Sequence, residues 1–143
     1  MEQTVVILKP DVFIHIDRDE YSQLKKELPE AEKFIEYIQW KIRELNLSII
    51  SERKEVLTES VVAEHYAEHR NSPDKFNGLL KSMTSGSSYL MLIEWENAQK
   101  LIRALIMDIR EEFLATPKVA RRNMTHASWN IEEAKMEAQL HFG

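Results

Sequence analysis

YLMLIEWENAQKLIRALIMDI, residues 89–109, changes its period halfway along. Tyr89 to Trp95 is a near-continuous apolar and aromatic run, the pattern of a buried strand. Beyond Asn97, the residues Ala98, Leu101, Ile102, Leu105, Ile106 and Ile109 recur at helical spacing and form the cleanest amphipathic stripe in the chain. Strand followed by helix is the alternation that recurs on both sides of this stretch.

Upstream, Thr4 to Leu8 is a short β-branched run closed by Pro10 and reads as the first strand. Residues 11–30 are mixed and charged and suggest an irregular or partly helical excursion. Ala31, Phe34, Ile35, Ile38, Ile42 and Leu45 repeat at helical spacing, and Asn46 is a stop signal. Leu47 to Leu57 alternates loosely and reads as the second strand. Thr58 is a good N-cap for a helix through His69. Ser72-Pro73 caps a short helix through Met83 that ends near Gly86. Downstream, Met124 to Ala127 reads as a fourth strand. Asn130 with Glu133 makes an N-cap pair for a last helix ending near Phe142.

The order β, α, β, α-α, β, α, β, α has too few strands for a doubly wound sheet. The economical arrangement is α+β: a ferredoxin-like α/β sandwich, a four-stranded antiparallel sheet with helices on one face. A chain of 143 residues suits one domain, here 1–143. With 43% apolar and 30% charged residues it reads as a compact soluble protein. A net charge of −5 argues against nucleic acid as a partner but leaves room for a small phosphate ligand. There are no cysteines, which excludes thiolate zinc sites and fits the cytoplasm. The opening MEQTVVILKPD reads as neither a secretory signal nor a membrane span, so no membrane partner is expected. Only three glycines occur, so any phosphate site must be built from side chains.

One local motif stands alone. His65-Tyr-Ala-Glu68-His69 fits the inverted zinc signature, with two histidines four apart that share a face if the helix runs through them. A third ligand is not marked, and a solvated helix face is the plainer reading.

Five stretches carry more information together. TVVILKPD at 4–11, LTESVVAEHYAEH at 57–69, GLLKSMTSG at 78–86, ENAQKLIR at 96–103 and RNMTHAS at 122–128 occur in that order. Jointly they resemble the nucleoside diphosphate kinase family, across most of the chain outside residues 12–30 and 111–120. The resemblance implies a ferredoxin-like fold and a ping-pong enzyme. Such an enzyme moves the γ-phosphoryl of a nucleoside triphosphate to a histidine and on to a nucleoside diphosphate.

The resemblance assigns His126 as the nucleophile, Glu137 as the carboxylate orienting it from eleven residues further on, and Ser128 as a hydrogen-bonding neighbour. Lys9 would reach the terminal phosphate, and Tyr66 would point its hydroxyl at the same region. Arg103 and Arg110 would bind the phosphates, Asn123 would contact the sugar, and Phe76 matches an aromatic near the base. Mg²⁺ would arrive on the nucleotide, not in a protein cage. Taken singly, each residue has an ordinary reading as a strand-end lysine, a helix-face cation or a solvated charge. Their joint spacing outweighs those readings.

Four departures from the family pattern stand out. Val12 follows Lys9-Pro-Asp where a glycine is usual, and an inserted segment spans about 12–30. Phe76 in PDKF matches the second of two aromatics better than the first. The segment from Arg103 to Asn123 is short, and Ile109 stands where a phosphate-binding threonine would fall. Because that segment carries much of the family's subunit contact, a homo-oligomer is expected as a dimer or tetramer and not a hexamer. Ala127 and Ser87 replace a glycine and a proline. These departures leave one alternative: a nucleotide-binding or regulatory relative with weak or no kinase turnover.

Overall fold

β1 (Glu2–Leu8) is buried at every residue from Thr4 to Leu8, so both of its faces are covered by other elements. The expectation of helices on one face therefore gives way to helices on both. A continuous apolar strand, lacking the alternation of a half-exposed one, has no solvent face to offer.

The computed structural model describes residues 1–10, 30–113 and 125–143. Among these, β1 is followed by α1 (Ala31–Glu44), β2 (Ser48–Glu55), α2 (Glu59–His65), a 3₁₀ turn (Ala67–His69) and α3 (Pro73–Met83). Then come β3 (Ser88–Trp95), α4 (Ala98–Phe113), β4 (Thr125–Ala127) and α5 (Ile131–Phe142). The expected insertion at about 12–30, apart from Glu30, and the start of the last strand at Met124 lie outside the described residues. No described helix is long and apolar enough to cross a membrane.

The strands form one sheet in the order β2-β3-β1-β4, with every neighbouring pair antiparallel. This is the ferredoxin-like arrangement, with β1 and β3 at the centre. β2 carries a register irregularity between Ile49 and Ser51. The first face packs α1 and α4 through Phe34, Ile38, Ile42, Ile102, Ile106 and Phe113, all fully or nearly fully buried, against Val6, Leu8 and Ala127. Phe34 and Phe113 meet edge-on at 5.6 Å, a geometry favoured by the ring quadrupole. The second face takes Val5, Ile7, Leu90 and Leu92, with Val62, Tyr66, Met83 and Ala138 from the helices above them.

Local chemistry ends the elements. Asn46 adopts φ 60° after α1, and its N–H returns to the Arg43 carbonyl at 2.9 Å. Asparagine tolerates that left-handed conformation better than most residues. Thr58 Oγ1 accepts from Val61 N at 3.2 Å, the expected cap of α2. Ser72 stands at the N-cap of α3, but its side chain makes no capping bond; Pro73 at the first turn supplies the helical φ instead. Asn130 Oδ1 accepts from Glu133 N at 2.9 Å, while the Glu133 carboxylate takes Trp129 N at 2.9 Å. The pair expected at α5 thus closes one residue further back than a capping box does.

Candidate active site

Strand register decides where His126 points. Ile7 pairs with His126, while Val6 and Leu8 pair with Ala127 and Thr125. Directly opposed residues share a face, and Ile7 belongs to the second face. His126 therefore points toward α2 and α5, away from the first core.

There its Nε2 lies 2.9 Å from Glu137 Oε1. Ser128 Oγ donates to the same oxygen at 2.7 Å. Glu137 is 2% exposed and Ser128 fully buried, while the His126 side chain keeps 17% exposure. The nitrogen left over is Nδ1. A carboxylate that accepts from Nε2–H fixes the tautomer in which Nδ1 carries the lone pair.

Three cations surround this ring. Arg103 Nη1 donates to the Ala127 carbonyl at 3.0 Å, and Arg110 Nη2 donates to the Thr125 carbonyl at 2.9 Å. The two arginines of α4 thus clasp β4 on either side of His126. The Arg103 guanidinium also lies 4.4 Å from the centroid of the exposed Trp129 ring, a favourable cation–π approach. Lys9 leaves the end of β1, and its charge is felt at His126. Burial first, then Lys9, Arg110 and Arg103, push the His126 pKa well below the ordinary imidazole value. Burial also draws Arg110 down to about 10, with Arg103 adding to the shift. Desolvation raises Glu137, opposed by His65, the Ser128 hydrogen bond and His141.

Tyr66 is 7% exposed, with its ring centroid 6.5 Å from that of His126. Its hydroxyl and Arg110 Nε are buried with no hydrogen-bond partner among the described residues. Unsatisfied buried donors are costly and rare in native proteins, so a pair of them beside one imidazole marks a place where a polar ligand would complete them. Phe76 is half-buried on α3 and packs against the second core. Asn123 lies outside the described residues.

Reading the sequence alone misses two residues of this cluster. His65 is 5% exposed, its ring 4.6 Å from that of His126, and its Nε2 lies 3.5 Å from Glu137 Oε2. Behind it, His65 Nδ1 meets His141 Nε2 at 2.8 Å. Burial drives the His65 pKa down to about 3, with the neighbouring His126 ring adding to the shift, and lowers His141 as well. The signal for both lies in α5. Ala134, Glu137, Ala138 and His141 form its buried stripe, and an inward stripe that carries a glutamate and a histidine is no ordinary core face.

The zinc signature dissolves in the same region. α2 stops at His65, Tyr66 takes φ −105°, and His69 sits on the following 3₁₀ turn, where it approaches the exposed Glu68 at 3.6 Å. Helical i, i+4 geometry is lost, so His65 and His69 do not share a face as expected.

A family model described as nucleoside diphosphate kinase matches residues 2–143. The chain belongs to the nucleoside diphosphate kinase family. That family is one of phosphotransferases. A nucleoside diphosphate kinase from Methanococcoides burtonii is 38% identical over 110 residues, 71% of this chain and 72% of the relative. One from Methanosarcina barkeri is 31% identical over an alignment of 150 residues, 99% of this chain and 88% of the relative. Among solved structures, a family protein from Babesia bovis superposes with a TM-score of 0.72 at 27% identity, covering 99% of this chain and 88% of that one. The halophilic enzyme from Halobacterium salinarum, in complex with CDP, gives 0.68 at 25%, covering 99% and 87%.

Proposed function

We propose that the chain is a nucleoside diphosphate kinase working by double displacement through phosphohistidine at His126. The observation that carries this reading is the Ser128–Glu137–His126 chain, which holds Nε2 and leaves Nδ1 as the nucleophile between two anchored arginines.

The Nδ1 lone pair attacks the γ-phosphorus of a nucleoside triphosphate. An N–P bond forms as the bond to the bridging oxygen breaks, and that electron pair leaves with the nucleoside diphosphate. Positive charge builds on the imidazole, and the Glu137 carboxylate, still accepting from Nε2–H, stabilises it. No proton needs to leave, because Nδ1 enters the reaction unprotonated; the depressed pKa of His126 supports that state at neutral pH. A terminal oxygen of a second nucleoside diphosphate then takes the phosphoryl group, and Nδ1 regains its pair.

Lys9, Arg103 and Arg110 would neutralise the transferring phosphates, with Tyr66 donating to the same group. Asn123 would bind the sugar and Phe76 would border the base. The described cluster sets one carboxylate, Glu137, beside two imidazoles, a poor match for magnesium's preference for oxygen, which supports entry of Mg²⁺ on the nucleotide. The ion would supply charge neutralisation on the phosphates, beside Lys9, Arg103 and Arg110.

The test is γ-labelled ATP with Mg²⁺, followed by a search for acid-labile, base-stable label that a second nucleoside diphosphate discharges. Absence of label on the native chain, or equal label on His126→Ala, would sink the reading. The packing of Phe76 against the second core supports one other reading: nucleotide binding with slow turnover. Calorimetric binding without phosphoryl exchange would select it.

Assembly and location follow as part of the same proposal. The edge strand β2 exposes Ile50 by 47%, and Trp40 on α1 is 53% exposed. Large apolar side chains on a strand edge that is unpaired among the described residues, and on α1, support a homo-oligomer, proposed as a dimer or tetramer and checked by sedimentation. The cysteine-free composition supports a cytoplasmic location.

A further inference from the structure

His65, His126 and Glu137 offer three metal-ligating atoms within 4.8 Å of one another. His65 Nε2 is the telling atom. Its side chain is 3% exposed, it faces Glu137 Oε2 at 3.5 Å, and no described residue completes its hydrogen bonding. That separation is long for a hydrogen bond, yet it suits two ligands of one ion. Tetrahedral zinc with bonds of about 2.0–2.1 Å sets its ligand atoms roughly 3.3 Å apart. The other separation, 2.9 Å from His126 Nε2 to Glu137 Oε1, needs only a small outward shift.

We infer that His65 Nε2, His126 Nε2 and the Glu137 carboxylate form an inhibitory site for Zn²⁺, distinct from the Mg²⁺ carried by a nucleotide. Two imidazoles and one carboxylate are borderline ligands that favour zinc over magnesium, which prefers oxygen. His141 supplies outer support. With Nε2 of His65 on the metal, its Nδ1–H donates to His141 Nε2, already 2.8 Å away. The fourth zinc position stays open to water or a phosphate oxygen.

The consequence for chemistry rests on the phosphohistidine reading. Zinc on His126 Nε2 displaces the proton held toward Glu137, and the neutral ring carries that proton on Nδ1 instead. The lone pair that would attack phosphorus is then gone. No proton is gained or lost by the ring; only its tautomer changes. Lys9, Arg103 and Arg110 lie close enough to depress His126, and they repel a dication in the same way. Affinity on the order of micromolar is expected, weaker than that of closed structural zinc sites.

The absence of cysteine makes the experiment clean, because no thiolate competes for zinc. Zn²⁺ alone is titrated into the chain by calorimetry, in millimolar Mg²⁺. The expected result is one zinc per chain, weakened at least tenfold in His65→Gln and unchanged in His69→Ala. Because His65 is buried and its variant can misfold, histidine NMR of the native chain provides a second reading. Zinc should shift the His65 and His126 rings together and leave His69 unmoved. Absence of binding, or binding with shifts confined to His69, overturns the inference. Phosphoryl transfer is followed separately. Transfer without zinc binding removes this site and spares the kinase reading, whereas zinc binding in a chain that never takes label removes the kinase reading and spares the site.

Discussion

The two faces of the sheet solve different problems with the same strand. On the α1/α4 face, β1 presents Val6 and Leu8 to a cluster of fully apolar side chains, Phe34, Ile38, Ile106 and Phe113 among them. On the other face the same strand presents Val5 and Ile7 to helices that also bury His65, Glu137 and His141. The first face is mostly apolar; it also buries Thr125 and Thr4, and the Thr4 hydroxyl finds no partner among the described residues. The second keeps unsatisfied donors and acceptors on His65, Tyr66 and His141 within a buried network. Apolar burial stabilises at low risk, whereas each unmatched buried polar atom costs on the order of 1–3 kcal/mol. On the proposed reading, the apolar face carries most of the stability and the other face holds the groups that would serve a ligand.

The largest test of that contrast is on the first face. Phe34→Ala removes a fully buried ring and its edge contact with Phe113, and should cost about 3–5 kcal/mol in urea unfolding. The folded fraction should keep its rate of phosphoryl transfer. A rate that falls with the stability would mean the faces are not separable.

Glu137→Gln makes the reverse cut. Transfer should fall by roughly a hundredfold or more, as the imidazole loses the charge that stabilises it. Stability should change by less than about 2 kcal/mol, because the variant also removes the desolvation penalty of a buried carboxylate. A large loss of stability with normal turnover would reverse the assignment.

Acid should act through the second face. His65 stays neutral in the fold down to about 3, and burial lowers His126 and His141 in the same direction. The unfolded chain protonates the same groups below about 6.5. The unfolded state therefore binds more protons, and stability falls as pH drops from about 6.5 toward 3. Each histidine adds a slope of up to about 1.4 kcal/mol per pH unit. Glu137, raised in the fold, has the opposite sign: it favours folding as pH falls toward its unfolded value. Glu137 thus offsets part of the histidine contribution. Urea midpoints in EDTA at pH 7, 6 and 5 check this, and a flat series would contradict it.

The smallest effect is at the entrance to α5. Asn130→Ala removes the Oδ1 bond to Glu133 N and should cost about 1 kcal/mol. Transfer should drop only slightly if α5 holds Glu137 through its packing on β1. A loss comparable to Glu137→Gln would show that the cap sets the site.

Much of this architecture is legible in single segments. The stripe from Ala98 to Ile109 marks α4, and Asn46, Thr58 and Asn130 mark ends where the backbone needs their side chains or their tolerance of positive φ. Face choice is less visible: the run Thr4–Leu8 is buried on both sides, yet apolar continuity does not say which helices do the covering. The break at Tyr66 is hidden for a related reason, since LTESVVAEHYAEH keeps helical propensity past the point where packing turns the chain. His126, Ser128 and Glu137 could be named because their order and spacing match the motif of the family that the chain resembles. His65 and His141 meet only through tertiary packing, 76 residues apart.

In the proposed mechanism Glu137 holds Nε2 and leaves Nδ1 to take the phosphoryl group. Phosphorus–nitrogen NMR coupling on a ¹⁵N-histidine-labelled chain, treated with ATP and Mg²⁺, tests it directly. A single phosphohistidine at His126, coupled through Nδ1, is the predicted result. A phosphoryl group on Nε2, or on another histidine, would contradict it.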